Sequence, residues 1–230
     1  MRYELKVVLL DTDMRVKFYL CATVLIYWVT LSFAQSTDAY FSSFKKQLER
    51  ALVNYNQIEI TRTQKLITVL NQAYRSPIDD QLYEINNFFN EIPYYTDKEH
   101  WGQSDYWATP VEMLGTNGGD CEDYVIAKYF SLRALGIPDS KMRMMFVTAL
   151  RQNQAHMVLA YYPEPNAIPL ILDNINPRIL PANKRPDLRP VYSFNGEGLY
   201  KAKAEGRGTK LGNSRHKMWD DLTSRIEREF

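Results

Sequence analysis

The sequence predicts an α+β fold in which an amino-terminal helical layer packs on an antiparallel sheet, with a single cysteine at the start of a helix. Three observations lead there. Apolar residues recur at helical spacing as far as Leu135; β-type runs replace them from Met142 onward; and Gly118-Gly119-Asp120 punctuates the chain directly before Cys121.

The helical layer begins with Tyr40, Phe44, Leu48 and Leu52, which recur every four positions among Lys, Gln and Glu. A second helix is expected from Ser76-Pro77, with Ser76 as cap, Pro77 at the first helical position and Asp79 and Asp80 at the positive end of the dipole. Its apolar face reads Ile78, Leu82, Ile85 and Phe89, and Pro93 ends it. Thr109-Pro110-Val111-Glu112 has the spacing of a capping box and opens a short helix that stops near Gly115. The next helix has both terminators: Asp120 can cap it, Val125, Tyr129, Leu132 and Leu135 line it, and Gly136 and Pro138 follow. Extended runs at Met142 to Leu150, Ala155 to Tyr162, Pro169 to Ile175 and Val191 to Phe194 read as strands. Lys201 to Asn213 is Gly- and Lys-rich and reads as a mobile linker, and Trp219, Leu222, Ile226 and Phe230 mark a final amphipathic helix.

The 230 residues, 45% hydrophobic, suffice for one core. Residues 1–34 differ in kind: Arg15 and Lys17 precede an apolar stretch from Phe18 to Phe33 that ends in Ser32-Phe33-Ala34, the pattern of a signal peptide cut after Ala34, with Met14 as an alternative start. An uncleaved anchor is the other reading, although the run is short for a spanning helix. Secretion follows from the first reading. Residues 35–200 then form the domain and residues 201–230 a charged tail. Without residues 1–34 the chain has 24 basic and 24 acidic residues, and nothing in that balance argues for a nucleic-acid or membrane-surface partner. Cleavage also removes Cys21, leaving Cys121 as the sole thiol in an oxidising compartment.

Cys121 follows the capping Asp120, so its sulfur lies where unpaired backbone N–H groups and the helix dipole favour an anion. The same N–H groups can donate to the oxyanion formed when a thiolate attacks a carbonyl. Such a nucleophile needs a base. His100 and His216 lie in polar stretches, whereas His156 opens an apolar strand. Pairing Tyr162 with Ala167 across the loop at Glu164-Pro165 places His156 opposite Asp173, within reach of its carboxylate. Helix-start Cys, strand His and next-strand Asp are the nucleophile, base and orienter of papain-like folds.

The motifs Trp101-Gly102, Asp105-Tyr106-Trp107-Ala108-Thr109-Pro110, Gly119-Asp120-Cys121-Glu122-Asp123-Tyr124, Gln154-Ala155-His156-Met157-Val158-Leu159, Leu172-Asp173-Asn174 and Pro190-Val191-Tyr192-Ser193-Phe194-Asn195 resemble the bacterial transglutaminase-like cysteine proteinases over roughly Leu82 to Tyr200. That resemblance implies a papain-like/transglutaminase-like fold and places the family triad on Cys121, His156 and Asp173. It implies a calcium-dependent periplasmic endopeptidase that clips the amino-terminal region of a large repeat-containing biofilm adhesin at an Ala-Ala bond. It also implies sequestration by a LapD-like inner-membrane receptor for cyclic di-GMP.

Asp120, Glu122 and Asp123 crowd negative charge around the thiol, which disfavours a thiolate unless a cation offsets it, and closely spaced carboxylates suit calcium. The resemblance assigns that role at least to Asp120 and Glu122. Plain helix chemistry, with Asp120 as cap and two acids complementing the dipole, is the alternative. Trp101 and Trp107 are candidates for a substrate-cleft wall or for an indole N–H toward the oxyanion, with core packing the alternative. The chain has no paired-cysteine zinc site, no HExxH and no G-x-S-x-G, and Gly206-Arg207-Gly208-Thr209-Lys210 is too short for a phosphate loop. Two rivals to peptide hydrolysis stay open: a transglutaminase that passes the acyl group to an amine, and a non-catalytic calcium-dependent module that docks a receptor.

Overall fold

The structure is a computed structural model that describes residues 19, 35–50, 57–201, 208–212 and 217–229. Two units are distinguished, one ending at Ser42 and one running from Ser43 to Phe230. The signal peptide read over residues 1–34 lies outside the described residues apart from Tyr19, as do Leu52, His216 and Phe230. Among the described residues no helix is long and apolar enough to cross a membrane.

Residues 35–50 are helical (α1), and within the second unit Phe44 and Leu48 are buried as their spacing requires. The helix α2 (Gln57–Ala73) was not anticipated. Its Ile60, Thr61, Thr63, Ile67, Thr68 and Val69 are β-branched and lower helix propensity, yet Thr63, Leu66, Leu70 and Ala73 fall on one buried stripe. Packing against its neighbours outweighs local preference here.

The start of α3 (Ile78–Asn90) differs in detail from expectation. Pro77 occupies the cap position with no side-chain bond, while Ser76 Oγ donates back to the Gln72 carbonyl at 3.0 Å, the alternative partner short hydroxyls find near helix ends. Leu82, Ile85 and Phe89 are buried, but Ile78 in the first turn is exposed. The four-residue α4 (Asp97–His100) is closed by a capping box between Thr96 and Glu99. The predicted box at α5 (Pro110–Thr116) is present: Glu112 N donates to Thr109 Oγ1 at 3.1 Å and Thr109 N to Glu112 Oε2 at 2.8 Å. Asn117, left-handed at φ 58°, ends it.

The helix α6 (Cys121–Ala134) is buried on nearly every side, packing on the sheet and on α3 and α5, and it takes the polar Asp123, Lys128 and Ser131 into the interior with its apolar residues. The last helix, α7 (Lys217–Glu229), buries Trp219, Leu222 and Ile226. Trp219 stacks on Phe130 at 5.7 Å and meets Tyr129 and Phe194 edge-on. Polar bonds fix this helix to α5: Arg225 Nη1 donates to Glu112 Oε2 at 2.6 Å, and Thr109 Oγ1 donates to Glu229 Oε1 at 2.9 Å.

Seven strands among the described residues form one antiparallel sheet in the order β4-β3-β2-β1-β5-β6-β7. They are β1 (Met142–Ala149), β2 (Gln154–Tyr161), β3 (Leu170–Leu172), β4 (Leu180–Pro181), β5 (Leu188–Asn195), β6 (Gly198–Lys201) and β7 (Lys210–Gly212). Part of the stretch read as a linker is thus sheet, since Tyr200 pairs with Lys210 and Leu199 with Gly212. Residues 202–207 lie outside the described residues.

The register of β2 against β3 corrects the expected one. Ala160 faces Ile171 and Leu159 faces Leu172, a shift of two residues that leaves His156 off the position opposite Asp173. Pro163, Pro165 and Pro169 explain the shift, because none can donate to the ladder, so pairing begins only at Leu170. A slip of two preserves facing, since side chains alternate with a period of two.

Candidate active site

The site is built where the start of α6 meets β2. Asp120 caps α6: its Oδ1 accepts from Glu122 N at 3.3 Å, and Asp123 Oδ2 accepts from Asp120 N at 3.1 Å, so cap and third helical residue bond reciprocally. Asp123 also reaches back through Oδ1 to Ala108 N at 2.7 Å, which ties the helix start to the segment before α5. Gly119 is required by this packing, since a Cβ there would lie 2.6 Å from Asp123 Oδ2.

Cys121 is the first residue of α6 and half-buried. Its thiol donates to Glu122 Oε2 at 2.7 Å, and the Met157 N–H of β2 is directed at the sulfur. That contact brings the thiol beside the residue following His156. The helix start alone favours a thiolate, but burial, followed by the Glu122 and Asp120 charges, pushes the Cys121 thiol well above its ordinary value, against the opposing Met157 N–H. The sum for the bare carboxylates is a neutral thiol.

His156 is buried on β2, and its Nε2 lies 2.8 Å from Asp173 Oδ1. Asp173 follows the end of β3, and the bond runs diagonally across the two strands rather than between opposed residues. With Nε2 committed to the carboxylate, Nδ1 is the ring nitrogen left for the thiol. Asp173 is held from every side. Oδ1 also accepts from Ile175 N at 2.9 Å, Oδ2 accepts from Arg185 Nη2 at 2.6 Å, and the backbone carbonyl accepts from Asn90 Nδ2 at 2.9 Å. Burial pushes its pKa up, but the His156 bond and charge, Arg185 and the Ile175 N–H outweigh it and hold the carboxyl at about 2. Behind Asn90, Lys128 Nζ donates to Asn90 Oδ1 at 2.7 Å; its complete burial lowers it to about 7 against the pull of Asp173.

A second cluster adjoins the thiol. Asp97, Asp120 and Asp123 each offer a carboxylate oxygen within 4.8 Å of the others, and carboxylate oxygens of Asp120 and Glu122 lie within the same distance of each other and of Cys121 Sγ. Burial first, then the charges of Glu122 and Asp123, raise Asp120 to about 10; burial also raises Asp123 to about 8 and Asp97 above its ordinary value. Asp97 Oδ1 is buried with no hydrogen-bond partner, while Oδ2 accepts from Tyr106 N at 2.7 Å. An orphaned carboxylate oxygen beside two more carboxylates is a donor set suited to a hard cation. Asp120, Glu122 and Asp123 thus stand together at the start of α6, and Asp97, not singled out in the sequence, lies within the same reach of Asp120 and Asp123. Its only local signal, a place in the first turn after Thr96, reads as dipole complementation.

The two tryptophans part company. Trp107 does not wall a cleft: it is 1% exposed and stacks on Phe194 at 5.7 Å, because a ring of that size finds more apolar contact in the core. Trp101 is half-buried against Tyr106, and its Nε1 has no acceptor among the described residues. His100 is not part of the cluster of acid and base; it stacks on Tyr95 and bonds Thr116 Oγ1 at 2.7 Å. Tyr94, missed in the sequence, pairs with Gly119 through its backbone, and its hydroxyl is raised to about 12 by burial and by the Cys121, Asp120 and Glu122 charges, which places it at the rim beside the thiol. A thiol, an imidazole with one nitrogen anchored and a fixed carboxylate can carry out acyl transfer.

Comparison with known proteins agrees with this geometry. The family model described as bacterial transglutaminase-like cysteine proteinase BTLCP matches residues 56–187. Calcium-bound LapG of Legionella pneumophila is 40% identical, with a TM-score of 0.70 over 79% of this chain and 98% of that one. EGTA-treated LapG from the same organism is 39% identical, with a TM-score of 0.71 over 79% and 97%. Among curated proteins none matches significantly. A cysteine at a capped helix start, its strand partner and a shared fold over most of both chains lead to one conclusion: the chain belongs to the bacterial transglutaminase-like cysteine proteinases, and is a cysteine peptidase.

Proposed function

We propose that this peptidase acts in the periplasm, requires calcium, and cleaves the amino-terminal region of a large repeat-containing biofilm adhesin at an Ala-Ala bond, releasing it from the cell. A LapD-like inner-membrane cyclic di-GMP receptor, by sequestering the enzyme, sets when it is free to act. The observation that carries the reading is the anchoring of His156 by Asp173 beside the Cys121 helix start.

In this mechanism His156 Nδ1 takes the thiol proton, and Cys121 Sγ attacks the scissile carbonyl. Backbone N–H groups at the start of α6 receive the oxyanion. The imidazolium returns its proton to the leaving amine, and water, deprotonated in turn by His156, releases the acyl group from sulfur. Asp173 keeps the imidazole in one tautomer throughout. Asp97, Asp120, Glu122 and Asp123 would hold the calcium ion, which supplies positive charge beside a thiol that the carboxylates otherwise keep protonated.

Incubating the protein with the largest surface adhesin of its host, with calcium or with EGTA, tests the reading. Wild-type enzyme in calcium should yield two fragments joined originally at Ala-Ala, and EGTA or Cys121→Ala should yield none. Cleavage by Cys121→Ala at the wild-type rate would sink it.

A further inference from the structure

We propose that Arg185 is a positioning residue of this peptidase: through its grip on Asp173 it fixes the carboxylate that aims His156 at the thiol. The inference deepens the Cys-His-Asp reading and rests on it.

The guanidinium is buried at the site. Its side chain is 1% exposed, and Asp173 with which it pairs is 0% exposed. Nη2 bridges the two carboxylates, 2.6 Å from Asp173 Oδ2 and 2.8 Å from Asp187 Oδ2, and Nε adds a bond to Asp187 Oδ1 at 3.0 Å. Four side chains thus bond in series, His156 to Asp173 to Arg185 to Asp187. The backbone of Arg185 is anchored as well, its N–H donating to the Ala182 carbonyl at 3.0 Å and its own carbonyl accepting from Leu188 N at 3.1 Å.

Two features separate this from an ordinary stabilising ion pair. Nη1 is buried with no partner, beside a small apolar cavity lined by Met145, Val147, Val158 and Ile171. Apolar residues in place of both members of a buried ion pair serve stability at least as well as the pair itself, so a guanidinium kept here with an unused donor points to a role beyond stability. The second feature is where the bonds fall. Asp173 sits beyond the last paired residue of β3, so no ladder bond holds it; the His156 ring and the Ile175 N–H share Oδ1, and Arg185 is the group that holds Oδ2. Arg185 occupies that other oxygen with a planar donor group, and Asp187 holds the donor in turn.

The test follows alkylation of Cys121 by iodoacetamide in saturating calcium from pH 5 to pH 9, read by mass spectrometry, beside circular dichroism for the fold. Iodoacetamide reports the thiol-imidazole pair without any protein substrate. In Arg185→Met the alkylation rate near neutrality should fall roughly 10- to 100-fold, the range typical of removing a group that orients an active-site ligand, and the pH profile should change shape. Arg185→Lys, which keeps the charge and one donor, should recover part of the rate. Asp187→Asn should slow alkylation by about 3- to 10-fold with the fold intact, a loss on the order of one ordinary hydrogen bond, and it carries the test if Arg185→Met does not fold. A folded Arg185→Met or Asp187→Asn with the wild-type rate and profile overturns the proposal. If the wild-type protein cleaves no adhesin yet these variants alkylate slowly as described, the substrate reading fails and the role of Arg185 stands.

Discussion

His156 Nε2 and Asp173 Oδ1 stand 2.8 Å apart although the two residues are not partners in the β2-β3 ladder. The contact fixes which ring nitrogen is left free. In Asp173→Asn the amide can present its N–H₂ to Nε2 and invert the tautomer, so activity should fall by about 10²- to 10⁴-fold, the usual worth of a general base. Steady-state rates on the cleaved substrate, with circular dichroism unchanged, check this.

The same carboxylate shapes acid stability. Its folded value of about 2 lies below the ordinary 3.8, so its contribution is complete above about pH 4 and is lost as pH falls toward 2. The loss should be on the order of 2 kcal/mol, read as a drop in urea midpoint from pH 5 to pH 2 that is shallower in Asp173→Asn.

Calcium should act on the thiol and on the fold together. In EGTA burial, and after it the acidic neighbours, push the Cys121 thiol upward, so its alkylation should be slow, and calcium should accelerate it. At about 100 times the dissociation constant calcium should also stabilise the protein by about 2.7 kcal/mol, seen as a raised thermal midpoint. Asp97→Asn should diminish both effects, since Asp97 Oδ1 has no other partner. An unchanged calcium response in that variant would exclude Asp97 from the ligand set.

Gly119→Ala should loosen the start of α6. Its methyl would sit 2.6 Å from Asp123 Oδ2 and 2.7 Å from Asp123 Cβ, displacing the residue that closes the capping box. A cost of roughly 1 to 3 kcal/mol is expected for such overpacking, measurable by urea denaturation and accompanied by reduced calcium affinity.

Trp219→Ala tests the anchoring of α7. The ring is 2% exposed and lies against Phe130, Tyr129 and Phe194, so truncation should cost about 3 to 5 kcal/mol. A change under about 1 kcal/mol would mean that α7 is not part of the cooperative core.

How far the chain was readable depended on whether a feature was local. The box at Thr109, the Asp120 cap, the Trp219 stripe and the extended runs of β1, β2 and β5 arise from residues within a turn or two, and each appears as expected. Where distant groups decide, the sequence was silent or misleading. α2 is helical because its stripe is buried, against its own β-branched content. The β2-β3 register turned on three prolines that a constant pairing offset ignores. Gly198, at φ 150° and close to the Gly212 carbonyl, belongs to a hairpin whose second strand lies beyond a stretch that reads as linker. Asp97 and Arg185 reach the site across 23 and 12 residues of chain, from Asp120 and Asp173 respectively, and nothing adjacent to either announces it.

Because Asp173 is gripped by side chains and not by the ladder, the connection from Tyr162 to Pro169 is mechanically independent of the reactive end of β2. His156 lies at the opposite end of that strand, five residues from Tyr161 and so about 17 Å away at the usual rise. Foreign residues grafted at Glu164-Pro165-Asn166 would lengthen an exposed connection without disturbing imidazole or thiol. That makes this hairpin tip the natural handle for a fluorophore or an affinity sequence on a working enzyme.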